Sequence, residues 1–495
     1  MEMTTTRRLF LGGAAALAIW PQSAWCVPVK PKRNGMGRRA EGGVPPLSTL
    51  VWENPDGTAT DSVMVRRLYL DLAGRIPTKD EAQTYVYSSN PSKRESLVDR
   101  LLASSDFADY WALRLCDIMR VKSEFPINLW PNAVYVYHAR LRSFVAENEP
   151  WDAFGRALLT SQGSDFRDAE VNFFRATDKR NPDGWAEATA QTFLGIPPAK
   201  LPPERRAELA SYFSNVKIKN TREWKEEIVF VDGPDRRGEL CDRLFSECRK
   251  EVADAFLAAV RGWIFGPAAP AKESGGEMRL KDVLRGIMLS DEYARGSVTG
   301  GFPVRRLDAE VLDDAFCSLS GDTRNYQSPA PEPFTFLPKD RKTICIEDGS
   351  ISNGFLTLFG KPARDTGLPE ERGTDVTAKQ RLYLFNSGTI HAHLRKTISP
   401  NGGQNGGQQN AGRNGGWRNG GKPQQFVYGQ PVPKRAEDLY WRILSRAPTQ
   451  RERQLIVGIW QSRGGGKKKG GARPFELLRD VAWCLVNSKE FIFRT

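Results

Sequence analysis

Histidine is nearly missing from this chain: three residues in 495, His138, His391 and His393. His391 and His393 stand two apart and would share one face of a strand. A zinc site needs three or four ligands, and no cysteine or carboxylate cluster nearby in the sequence completes one. The signature helices and loops of common enzymes are missing too: no His-Glu-x-x-His, no Gly-x-Ser-x-Gly, no Gly-Lys-Ser/Thr. Their absence removes zincin, serine-elbow and P-loop chemistry. No Cys-x-x-Cys-His occurs, which excludes covalently held c-type haem. The expectation is no metal and no cofactor.

Cysteine is also sparse. Six of seven lie past the first 26 residues: Cys116, Cys241, Cys248, Cys317, Cys345 and Cys484. That is too few for a disulfide scaffold. Cys241 and Cys248 are seven apart in a helical stretch, about 10.5 Å along its axis, too far to bridge each other. Buried thiols and one or two long-range bridges both remain open.

Long apolar runs are absent as well. The longest, residues 9–20, falls short of the ~20 residues that span a bilayer. It follows Arg7-Arg8 and precedes small residues around Ser23-Ala24, the layout of a removable twin-arginine signal over residues 1–26. A membrane anchor or a chance basic start is the competing reading. Cys26 invites a lipoprotein reading, but the bulky Trp25 precedes it where small residues are needed. The sequence thus predicts export to the periplasm or cell surface, with no transmembrane anchor once the signal is removed.

The net charge of +13 is unevenly placed. Residues 396–473 hold 15 Lys/Arg against 3 Asp/Glu, whereas residues 51–395 hold 47 against 51. The body is mildly acidic and the excess sits at the two ends. For an exported protein this argues against nucleic acid and for an anionic polysaccharide, an envelope partner or simple solubility.

What is present is helical periodicity. Residues 27–60, rich in Pro, Gly and basic side chains, read as a flexible linker. Apolar residues then recur at helical spacing over 63–72, 94–102, 110–121, 134–146, 186–193 and 239–265. Alternating or β-branched stretches at 216–219 and 227–231 predict a small hairpin near 215–232, and 343–346 a further short strand. Residues 401–422 and 464–471 are Gly-rich, with little to bury, and predict disordered loops. Neither follows a strand and opens a helix, so neither fits a phosphate loop. The fold class is mainly α, in two domains, 61–300 and 301–495, with long Gly-rich insertions.

One frame occurs twice. Leu68-Tyr69 leads to Arg75-x-Pro77-Thr78-x-x-Glu81, and Leu439-Tyr440 leads to Arg446-x-Pro448-Thr449-x-x-Glu452. Helix, stop before Pro, Thr N-cap and a Glu three residues on form a capping box. Ser105-Asp106-Phe107 and Ser488-Lys489-Glu490-Phe491 follow the copies, and Ser290-Asp291-Glu292-Tyr293 repeats that last step. Two related helical hairpins, or two independent uses of one cap, explain the echo.

The remaining chemistry is polar. Arg67 and Asp71 stand four apart and Asp117 and Arg120 three apart, spacings at which side chains on one helix face meet. Trp111, Asn132 and Asp152 lie in the neighbouring turns. These seven line a polar cleft or lock helix to helix; spacing leaves both open.

Several of these stretches resemble a known family. Arg66-Arg67-Leu68-Tyr69-Leu70-Asp71-Leu72-x-Gly74 with Pro77-Thr78 is similar to the opening of the planctomycete cytochrome-C-like domain, domain of unknown function 1549. So are Leu97 to Ser104, Trp111, Asp117, Arg120, Pro150-Trp151-Asp152-x-Phe154 and Phe193-Leu194-Gly195. Arg305-Arg306, Glu310, Phe359-Gly360-x-Pro362-x-Arg364, Gln380, Asn386 and Asn487-Ser488-Lys489-Glu490-Phe491 resemble its companion, domain of unknown function 1553. The resemblance implies a large exported protein of planctomycete or verrucomicrobial type without established activity. Family members commonly place Cys-x-x-Cys-His after the Phe-Leu-Gly. Here a proline-rich bridge, 197–203, stands instead, so no haem is expected. Two functions stay open: a non-catalytic envelope scaffold or binding protein, and a glycan-active hydrolase or lyase using the carboxylate and arginine pairs.

Overall fold

The first regular element is the helix Asp61–Ala73, nearly all of whose residues are buried. Gly74 ends it in the left-handed conformation, and the chain turns through Pro77 to Thr78. The Thr78 hydroxyl accepts the Glu81 amide while Glu81 reaches back to the Thr78 amide, starting the helix Lys79–Val86. The second copy has the same construction. Val432–Leu444 ends at left-handed Ser445, and the Thr449–Glu452 box opens Gln450–Ser462.

The likeness extends to side chains. The Arg75 guanidinium donates to both Glu81 oxygens, each at 2.8 Å, and its Nε to Asp106 at 2.7 Å. Arg446 grips both Glu452 oxygens, each at 2.9 Å, and its Nε donates to Glu490 at 2.6 Å. Arg75 lies over the Tyr69 ring and Arg446 over Tyr440. Asp106 and Glu490 each stand two residues after a capping serine, Ser104 and Ser488. The cap of the first of these is Ser104, one residue before the Ser105 expected from sequence. Ser290 makes the third instance, and all three hydroxyls also donate to the carbonyl three residues back. Two related hairpins are therefore built into the fold.

The structure, a computed structural model, describes residues 52–266, 278–298, 300–324, 326–338, 340–398, 431–463 and 474–495. The expected signal at 1–26, most of the 27–60 linker and the Gly-rich stretches 401–422 and 464–471 lie outside the described residues. The described residues form a mainly α fold of 21 helices with two small sheets.

The expected hairpin is present: β2 (Val216–Asn220) pairs antiparallel with β3 (Glu227–Val231), Val216 opposite Val231. A two-residue strand, β1 (Gly163–Ser164), joins the other edge of β3. In the second sheet β4 (Arg305–Arg306) pairs with β5 (Phe493–Arg494), which carries the C-terminal residues back beside residue 305.

Four details depart from expectation. Residues 343–346 are not a strand: Thr343–Cys345 is a 3-10 turn, because the Asp314 carboxylate accepts the Thr343 and Ile344 amides. His391 and His393 lie in the helix Gly388–Ile398, not on a strand face. The stretch 239–265 is interrupted by a π-helical turn, Arg243–Glu247, where Phe245 packs against Gly155. Residues 53–59 are not a free linker, since Glu53 bridges Ala59 and Thr58 bridges Arg295.

The apolar core runs without a break from Ala59 to Phe491 and crosses the 300 boundary. Trp111 meets Trp263 edge-on at 5.3 Å, Phe265 meets Phe302 at 5.9 Å, and Phe316 meets Phe491 at 5.3 Å. Residue 300 separates stretches of sequence rather than cores.

Candidate functional site

The helix Asp61–Ala73 holds the first two expected site residues, and both are buried. Arg67 spends its guanidinium on three carbonyls, those of Thr495 at 2.9 Å, Tyr293 at 2.5 Å and Arg295 at 3.0 Å. Its charged plane lies 3.5 Å from the centre of the Phe302 ring. Burial pulls its pKa down to about 10 despite the attraction of Tyr293 and Asp71. Asp71 is held instead by Arg494 of β5 and by the Tyr293 hydroxyl at 2.8 Å. The expected Arg67–Asp71 pair is thus replaced: β5 brings a closer cation from the far end of the chain. Trp111 donates its indole N–H to the Asp71 carbonyl at 3.2 Å.

Asp117 sits in a second buried group. Arg364 Nε donates to it at 2.9 Å and Arg372 Nη2 at 2.6 Å, while Arg372 also grips Glu310 at 2.7 Å. Burial would raise the Asp117 carboxyl, but Arg372 and Arg364 outweigh it and hold it below the usual carboxylate range. Asp308, facing Arg114 and Arg372, is held lower still against the same burial. Arg120 does not join Asp117. Its φ is +54° and its guanidinium donates to the Ala176 carbonyl, which takes it off the helix face that spacing assigned to it.

The other two expected residues stand apart. Asp152 pairs with Arg249 at 2.9 Å, and Asn132 is exposed in the first turn of Pro131–Glu147. The seven residues do not converge on one cleft. Arg67, Asp71, Trp111, Asp117 and Arg120 tie the N-terminal helices to segments up to 428 residues away. Nearly every partner in these groups is distant in sequence, so helical spacing carried no signal for Arg494, Arg364 or Arg372.

Sequence reasoning also missed a cavity of about 360 Å³ lying between the Arg75–Pro77 turn, the helix Ala309–Ser320 and residues 340–344. None of the seven expected residues lines it. Ile76, Ala315, Leu319 and Ile344 give it an apolar wall, and Asp314 and Cys317 face it from one helix. Burial pushes the Asp314 carboxyl up to about 6, although the Thr343 and Ile344 amides work against the rise. The volume suits a small ligand.

Two of the three histidines are buried. His138 is buried and its pKa falls to about 3 through burial, then through Arg364. His393 is buried against Ser320, Nδ1 to Oγ 2.7 Å, and burial takes it down to about 4. Among the described residues no group of three or more His, Cys, Asp or Glu is placed to hold a metal. The six cysteines after residue 26 are free thiols, and burial pushes Cys116 up to about 12. The 197–203 bridge folds as a 3-10 turn, Pro198–Lys200, leading into the helix Pro203–Ser211.

Residues 52–197 match the family model PSCyt2, protein of unknown function (DUF1549), and residues 274–460 match PSD1, protein of unknown function (DUF1553). No curated protein and no solved structure matches the chain. The geometry places the matched segments against each other. Asp117 and Arg114 come from the first, and Arg364, Arg372, Glu310 and Asp308 from the second. Arg306 adds bonds to the Phe359 and Gly373 carbonyls, and Gln380 one to Leu358. Two residues that carry the resemblance, Asp117 and Arg364, form a polar contact of this seam.

Proposed function

We propose that this chain, which belongs to the DUF1549 and DUF1553 families in tandem, is an exported cell-envelope protein. It acts by binding, as a scaffold for an anionic polymer or a protein partner, rather than by catalysis. One observation carries the reading: the carboxylates among the residues that could have lined a polar cleft are each paired with an arginine instead. Asp71 meets Arg494, Asp117 meets Arg364 and Arg372, and Asp152 meets Arg249. Arg372 and Arg364 hold the Asp117 carboxyl below the usual range against its burial, which makes it a poor general acid. The export part rests on the Arg7-Arg8 leader. Consistent with it, no helix among the described residues is long and apolar enough to cross a membrane.

The rival reading, a glycan-active hydrolase or lyase, keeps one supporting feature, the cavity with Asp314 at a pKa near 6. A group titrating there suits proton transfer at neutral pH.

One experiment addresses both readings. The chain, freed of residues 1–26, is incubated with a panel of acidic and neutral polysaccharides. Binding is followed by affinity electrophoresis, cleavage by new reducing ends and by absorbance of unsaturated uronate. Retention by an acidic polymer without cleavage is the expected result. Turnover that disappears in Asp314→Asn overturns the proposal in favour of the enzyme. Fusing residues 1–60 to a reporter in cells with and without twin-arginine transport tests the export part. Reporter retained in the cytoplasm of both strains overturns export, and reporter outside the cytoplasm in both strains overturns the twin-arginine route.

A further inference from the structure

The chain exposes an unusual concentration of aromatic rings in one place. Six large aromatic side chains are prominently exposed among the described residues: Tyr87, Phe125, Trp224, Phe334, Phe336 and Phe475. Four of them lie on three loops that meet at the tip of the β2–β3 hairpin. The first loop, 122–130, is closed at its base by the Leu129 amide on Lys122 and the Trp130 amide on Ser123, with Phe125 at its far end. The second is the hairpin turn with Trp224 and Lys225. The third carries Phe334 and Phe336. Trp130 joins all three: its ring lies 5.4 Å from Phe334, and the Lys225 ammonium is 5.4 Å from Trp130 and 5.7 Å from Trp224. The Tyr135 hydroxyl donates to the Phe336 carbonyl at 3.2 Å.

The loop carrying Phe125 and the hairpin carrying Trp224 are anchored from beneath. Arg180 donates to the Ile127 carbonyl at 2.8 Å and Arg175 to that of Leu129 at 3.2 Å. Both guanidiniums also hold Glu227, the first residue of β3, at 2.6 and 3.0 Å. Loop and hairpin are therefore one rigid unit. Backbone strain gathers here too: Asn128, Trp130 and Lys225 have φ of +59°, +71° and +65°. Such conformations are strained and persist where the surroundings enforce them, commonly at binding surfaces. A clustered exposed apolar patch on a rigid frame marks an interaction site.

The charge beside the rings is positive. Lys217 stands opposite Phe230 and Lys219 opposite Ile228 on the outward face of the hairpin, with the Lys219 ammonium 4.9 Å from the Phe230 ring. Among the described residues, Lys217, Lys219, Arg222 and Lys225 enter no ion pair. Of the acids on these loops, Glu223 faces Arg167 at 3.6 Å and Glu226 accepts from Ser164 and Thr221, while Glu124 and Glu332 leave the four cations in excess.

We infer that the hairpin tip and its two neighbouring loops form a docking surface for an acidic polysaccharide. The inference rests on the binding function proposed above and names the surface and the ligand class. Flat rings stack against the C–H faces of sugars, and the lysines between them meet carboxylates or sulfates. A partner helix would need a continuous apolar groove, which these lysines interrupt. Rings held before binding lose little freedom when the ligand arrives, which favours affinity.

The test uses the chain without residues 1–26, with polygalacturonate as acidic probe, dextran as neutral probe and a single-stranded oligothymidylate. Affinities are measured by calorimetry over a salt series. The parent binds polygalacturonate and not dextran. The pair Trp224→Ala and Phe336→Ala weakens binding at least about tenfold. The pair Lys217→Ala and Lys219→Ala weakens it and flattens its salt dependence, since fewer counterions are released. Tyr87→Ala, an exposed aromatic away from the patch, leaves it unchanged. Circular dichroism confirms that each variant is folded. Parent-like affinity in both patch pairs, with the parent still binding, overturns this surface and leaves the binding function standing. Tighter, patch-dependent binding of the oligothymidylate overturns the ligand class. A parent that binds no acidic polymer overturns both.

Discussion

Arg494, one residue from the C-terminus, donates from its guanidinium to Asp71 across 423 positions of sequence. Both side chains are buried, and Tyr293 completes the carboxylate's partners. The same guanidinium donates to the Ile264 carbonyl, so a single residue joins the first helix, the helix Arg249–Phe265 and β5. Arg494→Ala leaves the Asp71 charge buried without its cation. Removing one member of such a pair costs about 3–5 kcal/mol. Urea unfolding of Arg494→Ala and of Arg494→Ala with Asp71→Asn measures it, and the double variant should recover much of the loss. Equal midpoints for parent and Arg494→Ala would mean the pair holds nothing together.

The two capping boxes make a matched pair of predictions. Thr78→Ala and Thr449→Ala should each destabilise by about 0.5–2 kcal/mol, since each removes the acceptor for a helix N3 amide. The boxes belong to separate hairpins, so the two losses should add to within ~0.5 kcal/mol. Denaturant midpoints of both singles and the double settle it.

Acid should loosen the first hairpin through Glu81. Burial would raise its pKa, but the two-oxygen grip of Arg75 and the Thr78 amide bring it down to about 2. A carboxylate depressed in the folded state contributes stability above its unfolded pKa, near 4.5, and loses it as pH falls toward 2. Glu81→Gln keeps an acceptor for the Thr78 amide and removes the titration. Between pH 5 and about pH 2.5 the parent should lose more stability than the variant. Parallel pH curves would refute the assignment.

Asp314 works in the opposite direction. Its folded pKa is raised to about 6 from 3.8. The folded state therefore holds the proton more tightly than the unfolded one. The stability this gives is full in acid and is lost as pH climbs from about 4 through about 6. Asp314→Asn should show a flatter profile across that window in thermal melts. A ligand that enters the cavity and meets Asp314 should shift this step in the parent only.

How much of this was legible beforehand follows from the range of each interaction. The Thr78 and Thr449 caps were readable because a capping box closes within four residues. The β2–β3 hairpin was readable because alternation in 216–219 and 227–231 is local. Asp117 was singled out by its helical spacing, but its partners Arg364 and Arg372 lie 247 and 255 residues away. No periodicity encodes such a distance. Arg120 failed for a different reason: it sits past the helix end at positive φ, where helical spacing no longer applies. The aromatic surface was invisible because Trp130, Trp224 and Phe334 belong to three separate loops, none patterned by itself.

The duplicated hairpins differ at one informative position, the left-handed residue that ends the first helix of each. Gly74 has φ +60° and Ser445 φ +61°. At Gly74 a Cβ would stand 2.4 Å from the Tyr110 ring, so a side chain is excluded by packing as well as by backbone strain. Tyr110 is not free to withdraw, since Arg114 donates to its hydroxyl at 2.7 Å and its ring packs edge-on against Trp111. Gly74→Ala should therefore exceed the ~1 kcal/mol of an ordinary left-handed penalty, reaching about 2–4 kcal/mol once overpacking is added. At Ser445 the side chain is accommodated, with Arg66 3.5 Å from its hydroxyl. Ser445→Gly relieves the backbone and loses only that long contact, so the net change should stay within ~1 kcal/mol. Paired urea titrations of the two variants read the contrast directly. Comparable losses at both positions would show that packing around Tyr110 yields, and that the two hairpin turns are interchangeable after all.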